Sequence, residues 1–423
     1  MHLRLLRLPL HIGTMSFSSC IWHTDSAAAR YSSVALFNDF LRSTRCTLKN
    51  SPAPTSVHVL IGNEAADADS IVSSLSYAYL NHQQKPELLH VPVLPIPRSE
   101  LILRCDVSAL FQKLGVDTDA LVFVDEFPWE LQSKITVTLM DHNAMSNKKI
   151  PHAHNFQVVE IVDHHSDQGQ HLDAKKREVA FANGNALVAS TCTLVVERMI
   201  KIKSDDVHKL LATMLLGVIS LDSINFDPSA KKVTPRDVKA AGILEPMAFA
   251  DKEALFKWLQ TEKFDPVHWH AFSLVNCLQA DYKEFKFTTA AGDATKVGIS
   301  AILIDFETFV RKTKDAAELC QRLSEFCKQN GIVFLVIMTI FITPDKERHR
   351  QLAFFQKVGN DAKHCVEKLK KERTLQMEPL ILPELHRDNH VIAFNQLNSS
   401  ASRKQVAPMI LRALADPGQV ASK

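Results

Sequence analysis

Apolar positions follow two rhythms along this chain, and the alternation between them predicts its architecture. Near residues 34 to 48, Phe37, Phe40 and Leu41 fall at the i, i+3, i+4 spacing of one helical face. Five short apolar runs follow: Val57 to Gly62, His90 to Ile96, Leu121 to Asp125, Ile135 to Met140 and Val158 to Val162. Runs of this length, separated by polar or helix-periodic stretches, are the pattern of a parallel sheet covered on both faces. Helices are predicted at about 69 to 81, 190 to 202 and 205 to 220, and Ser190 and Thr191 suit the N-cap of the second. The first half therefore reads as one α/β domain.

The segment Asn225 to Pro246 holds three prolines, Pro228, Pro235 and Pro246, as a crossing between domains would. From about residue 268 a second pattern begins. It comprises a helix ending near Tyr282, strands at 285 to 290, 296 to 304, 332 to 343 and 352 to 357, and a closing helix at 403 to 415. That pattern predicts a smaller, mixed-sheet α/β domain. The expected division is thus a leader or disordered extension (1 to 33), a parallel-sheet domain (34 to 235), an interdomain linker (236 to 264) and the second domain (265 to 418). The longest apolar run, Gly331 to Ile342, is shorter than the roughly 20 residues a bilayer span requires, and its β-branched content reads as a buried strand.

Composition narrows the function mainly by exclusion. The 423 residues are too many for one core, and 46% hydrophobic content excludes a mainly disordered chain. A net charge of +2 argues against a general nucleic-acid coat. Among the 8 cysteines there is no Cys-x-x-Cys pair, so reduced, mostly buried thiols in an intracellular compartment are expected. Residues 1 to 24 carry Arg4 and Arg7 but no acid, which leaves open a mitochondrial presequence or a floppy extension ahead of a second start at Met15. The expectation is a cytoplasmic monomer without nucleic-acid or membrane partners; a mitochondrial location is the alternative.

Acids and histidines stand just beyond the predicted strands. Asp67 and Asp69 follow the first strand, Asp141 directly follows Ile135 to Met140, Asp163-His164-His165 directly follows Val158 to Val162, and Asp222 comes after the helix at 205 to 220. Ligands of open α/β sheets bind outside the carboxyl ends of the strands. Alone, Asp67 and Asp69 could simply cap a helix; their recurrence with Asp141, His164 and His165 at one sheet edge suits a two-metal site. Carboxylates fit Mg²⁺ and Mn²⁺, one can bridge two ions, and an imidazole admits Mn²⁺ or Co²⁺ without excluding Mg²⁺. Two such ions can hold a hydroxide and clamp a phosphoryl group. Other chemistries fit less well, because a Gly-x-Ser-x-Gly elbow, a P-loop and a cysteine beside a motif histidine are all missing.

These residues carry a resemblance to the DHH phosphoesterase superfamily, and within it to the eukaryotic exopolyphosphatases, over roughly residues 35 to 415. The matching segments are Gly62-Asn63-Glu64 through Asp67, Asp69 and Ser70; Leu139 to Asn143; Asp163-His164-His165; Ile219 to Ser223; Asp281 to Phe285; and Ser402-Arg403-Lys404-Gln405. The resemblance implies one ion on Asp67 and Asp141 and another on Asp69, Asp141, His164 and Asp222. It implies His165 on the scissile phosphate, as hydrogen-bond donor or general acid, and Lys283, Arg403 and Lys404 along the outer phosphates. Asn63 stands where the related family II inorganic pyrophosphatases carry histidine and is expected at the substrate or as a turn residue. His142 and Asn143 are expected to orient a loop, and Asp345 to Arg350 to form a solvated turn. The implied activity is removal of terminal phosphate from inorganic polyphosphate by metal-bound hydroxide, with Mg²⁺ or Mn²⁺, and Co²⁺ admitted. A pyrophosphatase or nucleotide phosphodiesterase of the same superfamily, or an interaction protein like the animal prune proteins, is the alternative.

Overall fold

A computed structural model describes residues 27–49, 56–130, 134–145, 150–151, 153–203, 206–288, 294–343, 345–385 and 390–415. The expected leader falls largely outside these residues, as do the end of the strand predicted at 285 to 290 and His152. The chain divides into two compact units, Met1–Lys263 and Phe264–Lys423.

The first unit runs α1 (Ala27–Lys49), β1 (Ser56–Ile61), α2 (Ala68–Gln84), β2 (Leu89–Leu94), α3 (Cys105–Leu114), β3 (Val122–Phe123), β4 (Lys134–Met140), β5 (Gln157–Asp163) and β6 (Lys176–Val179). A hairpin of β7 (Phe181–Ala182) and β8 (Asn185–Ala186) follows, then α4 (Thr191–Met199), α5 (Val207–Asp222), α6 (Pro235–Leu244) and α7 (Lys252–Phe264). One parallel sheet has the order β3-β2-β1-β4-β5-β6. The order reverses direction between β1 and β4, and such a reversal opens a crevice at the carboxyl ends of the two strands.

Strand alternation sets the two faces of the sheet. Leu60, Leu94, Phe123, Met140 and Val162 face a core shared with α1 to α7. Val57, Val59, Ile61, Val91, Val137 and Leu139 face a second core closed by Phe127, Trp129 and Ile150. Both faces are buried, as the near-continuous apolar runs predict. The strand β6 was not predicted, because Lys176–Val179 carries no apolar run and is only half buried.

The linker expected at 236 to 264 is corrected by the structure. Those residues form most of α6 and α7, and Ala240, Ala241, Leu244, Leu255 and Leu259 pack into the first unit's core. Pro235 is the first residue of α6, where its missing N–H and fixed φ are tolerated. The Asp237 carboxylate accepts a hydrogen bond from the Thr234 N–H at 2.8 Å, completing the helix start. Proline is as compatible with the first position of a helix as with a crossing between domains, which is why the expectation and the structure differ here.

On the helix-covered face, His58 and His90 sit opposite each other in register across β1 and β2. Their Nδ1 atoms are 3.0 Å apart, and His58 Nε2 lies 2.8 Å from Thr138 Oγ1. Burial pushes the His58 pKa down to about 3 and the His90 pKa to about 4. Both rings are neutral when folded, whereas an unfolded imidazole takes up a proton below about pH 6.5. Stability present above that pH is therefore lost as pH falls towards 4 and then 3. Urea unfolding at pH 7 and pH 4.5, compared with the double substitution His58→Gln/His90→Gln, is expected to show a steeper acid loss in the wild type. Equal slopes would mean that this pair does not sense acid.

The second unit contains α8 (Pro266–Ala271), α9 (Leu274–Ala280), β9 (Tyr282–Thr288), β10 (Ala294–Ile302), α10 (Phe306–Val310), α11 (Ala316–Asn330), β11 (Phe334–Thr339) and β12 (Phe341–Ile342). It continues with β13 (Arg348–His349), β14 (Gln351–Phe355), α12 (Asp361–Leu369), β15 (Met377–Pro379), β16 (Val391–Gln396) and α13 (Arg403–Ala415). The order β15-β16-β14-β11-β10-β9 makes a mixed sheet, parallel only between β10 and β11. Phe334, Val336, Leu352, Phe354, Phe394, Val406 and Ile410 fill a core between this sheet, α12 and α13. The single strand predicted at 332 to 343 is two: β11 lies in the sheet, and β12 pairs with β13 in a separate hairpin. The expected turn at Asp345 to Arg350 includes β13. No described helix is long and apolar enough to cross a membrane.

Candidate metal centre

The chain leaves β1 through Gly62, where a Cβ would approach Ser70 Oγ to 2.0 Å, so glycine is required for α2 to start this close to the strand. Asp67 caps α2, accepting from the Ser70 N–H at 3.1 Å. Two residues on, Asp69 is anchored by another helix: it accepts from Ser190 Oγ at 2.6 Å, Thr191 N at 2.7 Å and Cys192 N at 2.9 Å, all at the start of α4. Two helix N-termini thus favour negative charge at this point.

Asp141 follows β4 with a φ of 63°, in the left-handed region that Asp and Asn tolerate better than other side chains. It is 2% exposed. Its Oδ2 accepts from Asn63 Nδ2 at 2.7 Å, and its Oδ1 from Thr191 Oγ1 at 3.1 Å. His164 Nε2 lies 3.3 Å from Asp141 Oδ1 and 3.6 Å from Asp69 Oδ2. His164 Nδ1 donates to the Val188 carbonyl at 3.0 Å, which leaves the Nε2 lone pair facing those carboxylates, as a metal-ligating imidazole requires. Asp222 ends α5, and its buried Oδ2 has no hydrogen-bond partner among the described residues.

Asp163 has a different task. It is fully buried and accepts from Asn143 Nδ2 at 2.5 Å, the His164 N–H at 2.8 Å, the His165 N–H at 3.2 Å and His165 Nδ1 at 2.9 Å. Burial alone would raise its pKa, but the hydrogen bonds from His165 and Asn143 outweigh it and the group titrates below its usual range. In return, the bond to Asp163 is the main reason that the His165 pKa lies above its ordinary value; burial opposes it and Asp141 adds to it. Asn143 also bonds the loop at Ser166 and Gln168, the orienting role expected of it.

Asp67, Asp69, Asp141, His164, His165 and Asp222 line one cavity of about 550 Å³. It lies at the carboxyl ends of β1 and β4, where the sheet order reverses. Desolvation, followed by the neighbouring carboxylates, raises the pKa of Asp141 and Asp222 well above the usual range. Asp67 opens to solvent, yet enough protein surrounds it for desolvation, and then Asp69, to raise its pKa too. The charged forms are thus poorly supported by protein donors alone. Together with the orphaned Asp222 oxygen and the His164 Nε2 that faces the same carboxylates, this donor set fits hard divalent cations.

Three groups lie apart from the cavity or beyond what was expected. Asn63 is outside the cavity lining: its amide donates to Asp141, and its Oδ1 accepts from the Ala65 and Ala66 N–H groups at 2.9 and 3.3 Å, so it serves turn and carboxylate together. Asn63→Ala is expected to weaken Mn²⁺ binding by roughly tenfold or more, because partners that orient metal ligands carry that much; an unchanged calorimetric affinity would leave Asn63 a turn residue alone. In the second unit, Arg403 donates to the Asp281 carboxylate at 2.6 Å and the Asp281 carbonyl at 2.8 Å, and Lys283 is exposed on β9. Lys404 is placed in α13, with its side chain outside the described residues. The cavity is also lined by Asn185 and by Lys231–Thr234, none of which was singled out from the sequence. The Lys-Lys pair shortly after Asp222 was the available signal.

A fold and site of this kind define a class, and comparison with known proteins agrees. The DHH family N-terminal domain matches residues 58–218, and the DHHA2 domain matches residues 259–413. The human protein "Exopolyphosphatase PRUNE1" is 33% identical over 384 residues, covering 89% of this chain and 79% of the relative. The Schizosaccharomyces pombe protein named "Putative exopolyphosphatase" is 30% identical over 393 residues, 88% of this chain and 94% of the relative. An Oceanobacillus iheyensis protein named "Probable manganese-dependent inorganic pyrophosphatase" is 26% identical over 196 residues, 46% of this chain and 56% of the relative. The chain belongs to the DHH family with a DHHA2 second domain, the group that includes the exopolyphosphatase PRUNE1 proteins. By that membership it is a hydrolase.

Proposed function

We propose that this protein is a divalent-metal-dependent exopolyphosphatase that removes terminal orthophosphate from inorganic polyphosphate. The observation that carries the reading is the convergence of Asp67, Asp69, Asp141, His164 and Asp222 on one cavity at the reversal of strand order. The names of the relatives support the choice of substrate. Asp67 and Asp141 would hold one ion, and Asp69, Asp141, His164 and Asp222 the other. When bound, Mg²⁺ or Mn²⁺ ions, with Co²⁺ admitted, supply positive charge against phosphoryl oxygens and acidify water.

The protein's own groups supply the remainder. His165, whose Nδ1 is engaged by Asp163, has Nε2 as its other donor. Protonated, it hydrogen-bonds a phosphoryl oxygen and gives a proton to the leaving phosphate as the P–O bridge breaks; water adds to the terminal phosphorus and loses a proton to solvent, from which His165 is reprotonated. Thr191 and Asn63 keep the Asp141 carboxylate from rotating. Lys283, Arg403 and Lys404 are assigned to the outer phosphates, Arg403 being oriented by Asp281.

Orthophosphate release from pyrophosphate, tripolyphosphate and long-chain polyphosphate, with and without chelator, tests the assignment. The expected result is chelator-sensitive release that favours tripolyphosphate and longer chains. Preference for pyrophosphate would make it a pyrophosphatase, and no release with metal present would overturn the exopolyphosphatase reading.

A further inference from the structure

We propose that Lys231 and Lys232 form a phosphate-binding wall of the metal cavity, holding the phosphoryl groups next to the one that reacts. This rests on the polyphosphate reading above and adds a specificity element to the first unit. The segment Lys231–Thr234 lines the same cavity as the carboxylates and histidines. Both lysines are exposed, and neither pairs with a carboxylate among the described residues, although four aspartates line that cavity. Lysines serving only to neutralise the aspartates would be expected to pair with them.

The backbone holds this segment in a defined shape. Ile224, Asn225, Phe226 and Lys231 all have positive φ, between 53° and 60°, so the connection from α5 to α6 bends repeatedly through conformations unfavourable to non-glycine residues. Such bends persist where surrounding structure over-determines them, and Asp237 provides that. Fully buried, it accepts from Thr234 N and Thr234 Oγ1 at 2.8 Å each, from the Ala189 N–H at 3.0 Å and from Thr193 Oγ1 at 2.6 Å. One carboxylate thus ties the end of the lysine segment to the start of α4, whose Ser190, Thr191 and Cys192 hold Asp69. The cavity, at about 550 Å³, lies in the roughly 300–1,000 Å³ range of pockets for drug-sized ligands, more than one phosphoryl group fills. Charge on the phosphates beyond the reacting one needs its own partners. Lysine suits them as a point charge on a flexible stem, without the fixed fork of arginine.

The test uses the full chain with Mg²⁺ and tripolyphosphate. Lys231→Ala/Lys232→Ala is expected to raise KM about tenfold or more, a larger effect than on kcat, and to make KM less dependent on salt, because screened contacts are lost. Lys231→Arg/Lys232→Arg is expected to recover most of the KM, which a role in folding or loop shape would not predict. Unchanged KM and salt dependence in a protein whose wild type hydrolyses tripolyphosphate would overturn the wall while leaving the function standing. Should the wild type release no phosphate, the functional reading fails and calorimetric titration with tripolyphosphate decides the inference alone: tighter binding by the wild type than by the Ala pair supports it, and equal or absent binding overturns it.

Discussion

Asp141→Asn is expected to lower phosphate release by on the order of a thousandfold, about 4 kcal/mol of barrier. Its carboxylate is the only one assigned to both ions, so the substitution removes charge from both at once. The fold should survive, because Asn also tolerates the left-handed backbone at this position. Its amide oxygen can still accept from Asn63 Nδ2. Without metal the variant should be no less stable than the wild type at neutral pH. A carboxylate whose pKa is raised by folding contributes stability at low pH that is lost as pH rises through the raised value, so the wild type carries an unfavourable charge that the variant lacks. Turnover above a tenth of wild type, with metal content unchanged, would remove Asp141 from its bridging role.

His165→Gln is expected to cost on the order of a hundredfold in kcat, the scale of a lost general acid, with metal content preserved. The glutamine can still hydrogen-bond but cannot carry a proton to the leaving phosphate. The loss should be smaller for a substrate whose leaving group needs no proton, such as a nitrophenyl phosphate. An equal loss on both substrates would make His165 a phosphate-positioning donor, and loss of metal from the variant would make it a ligand. Metal content separates these roles, because ligand atoms of Asp141, His164 and His165 all lie within 4.8 Å of one another.

What was read from the sequence was announced by continuous apolar runs, although β16 opens with one, Val391 to Phe394, and was not predicted. Strands β1, β4 and β5 are such runs, and Asp141 and the Asp163-His164-His165 segment stand at the ends of the last two, so these site residues were visible as punctuation. Two of the edge strands were not: Lys176–Val179 and Met377–Pro379 are short and partly exposed, with no pattern that burial would impose. Helix α6 was hidden because Pro235 looks alike at a helix start and in a linker, and only the capping partner Asp237 distinguishes them. Roles that depend on contacts far along the chain were also out of reach. Asn63 meets Asp141 across 78 residues, Asp69 meets Ser190 across 121, and the place of Lys231 and Lys232 in the cavity wall follows from the packing of α6. The motifs marked where the chemistry is; tertiary structure decides which neighbour holds each group.

The central claim, that this cavity is a two-metal hydrolase site, is tested most directly by growing crystals with Mn²⁺ and measuring anomalous scattering. The expected map has two peaks in the cavity, one against Asp67 and Asp141 and the other against Asp69, Asp141, His164 and Asp222. A single peak, or peaks away from Asp141, would contradict it.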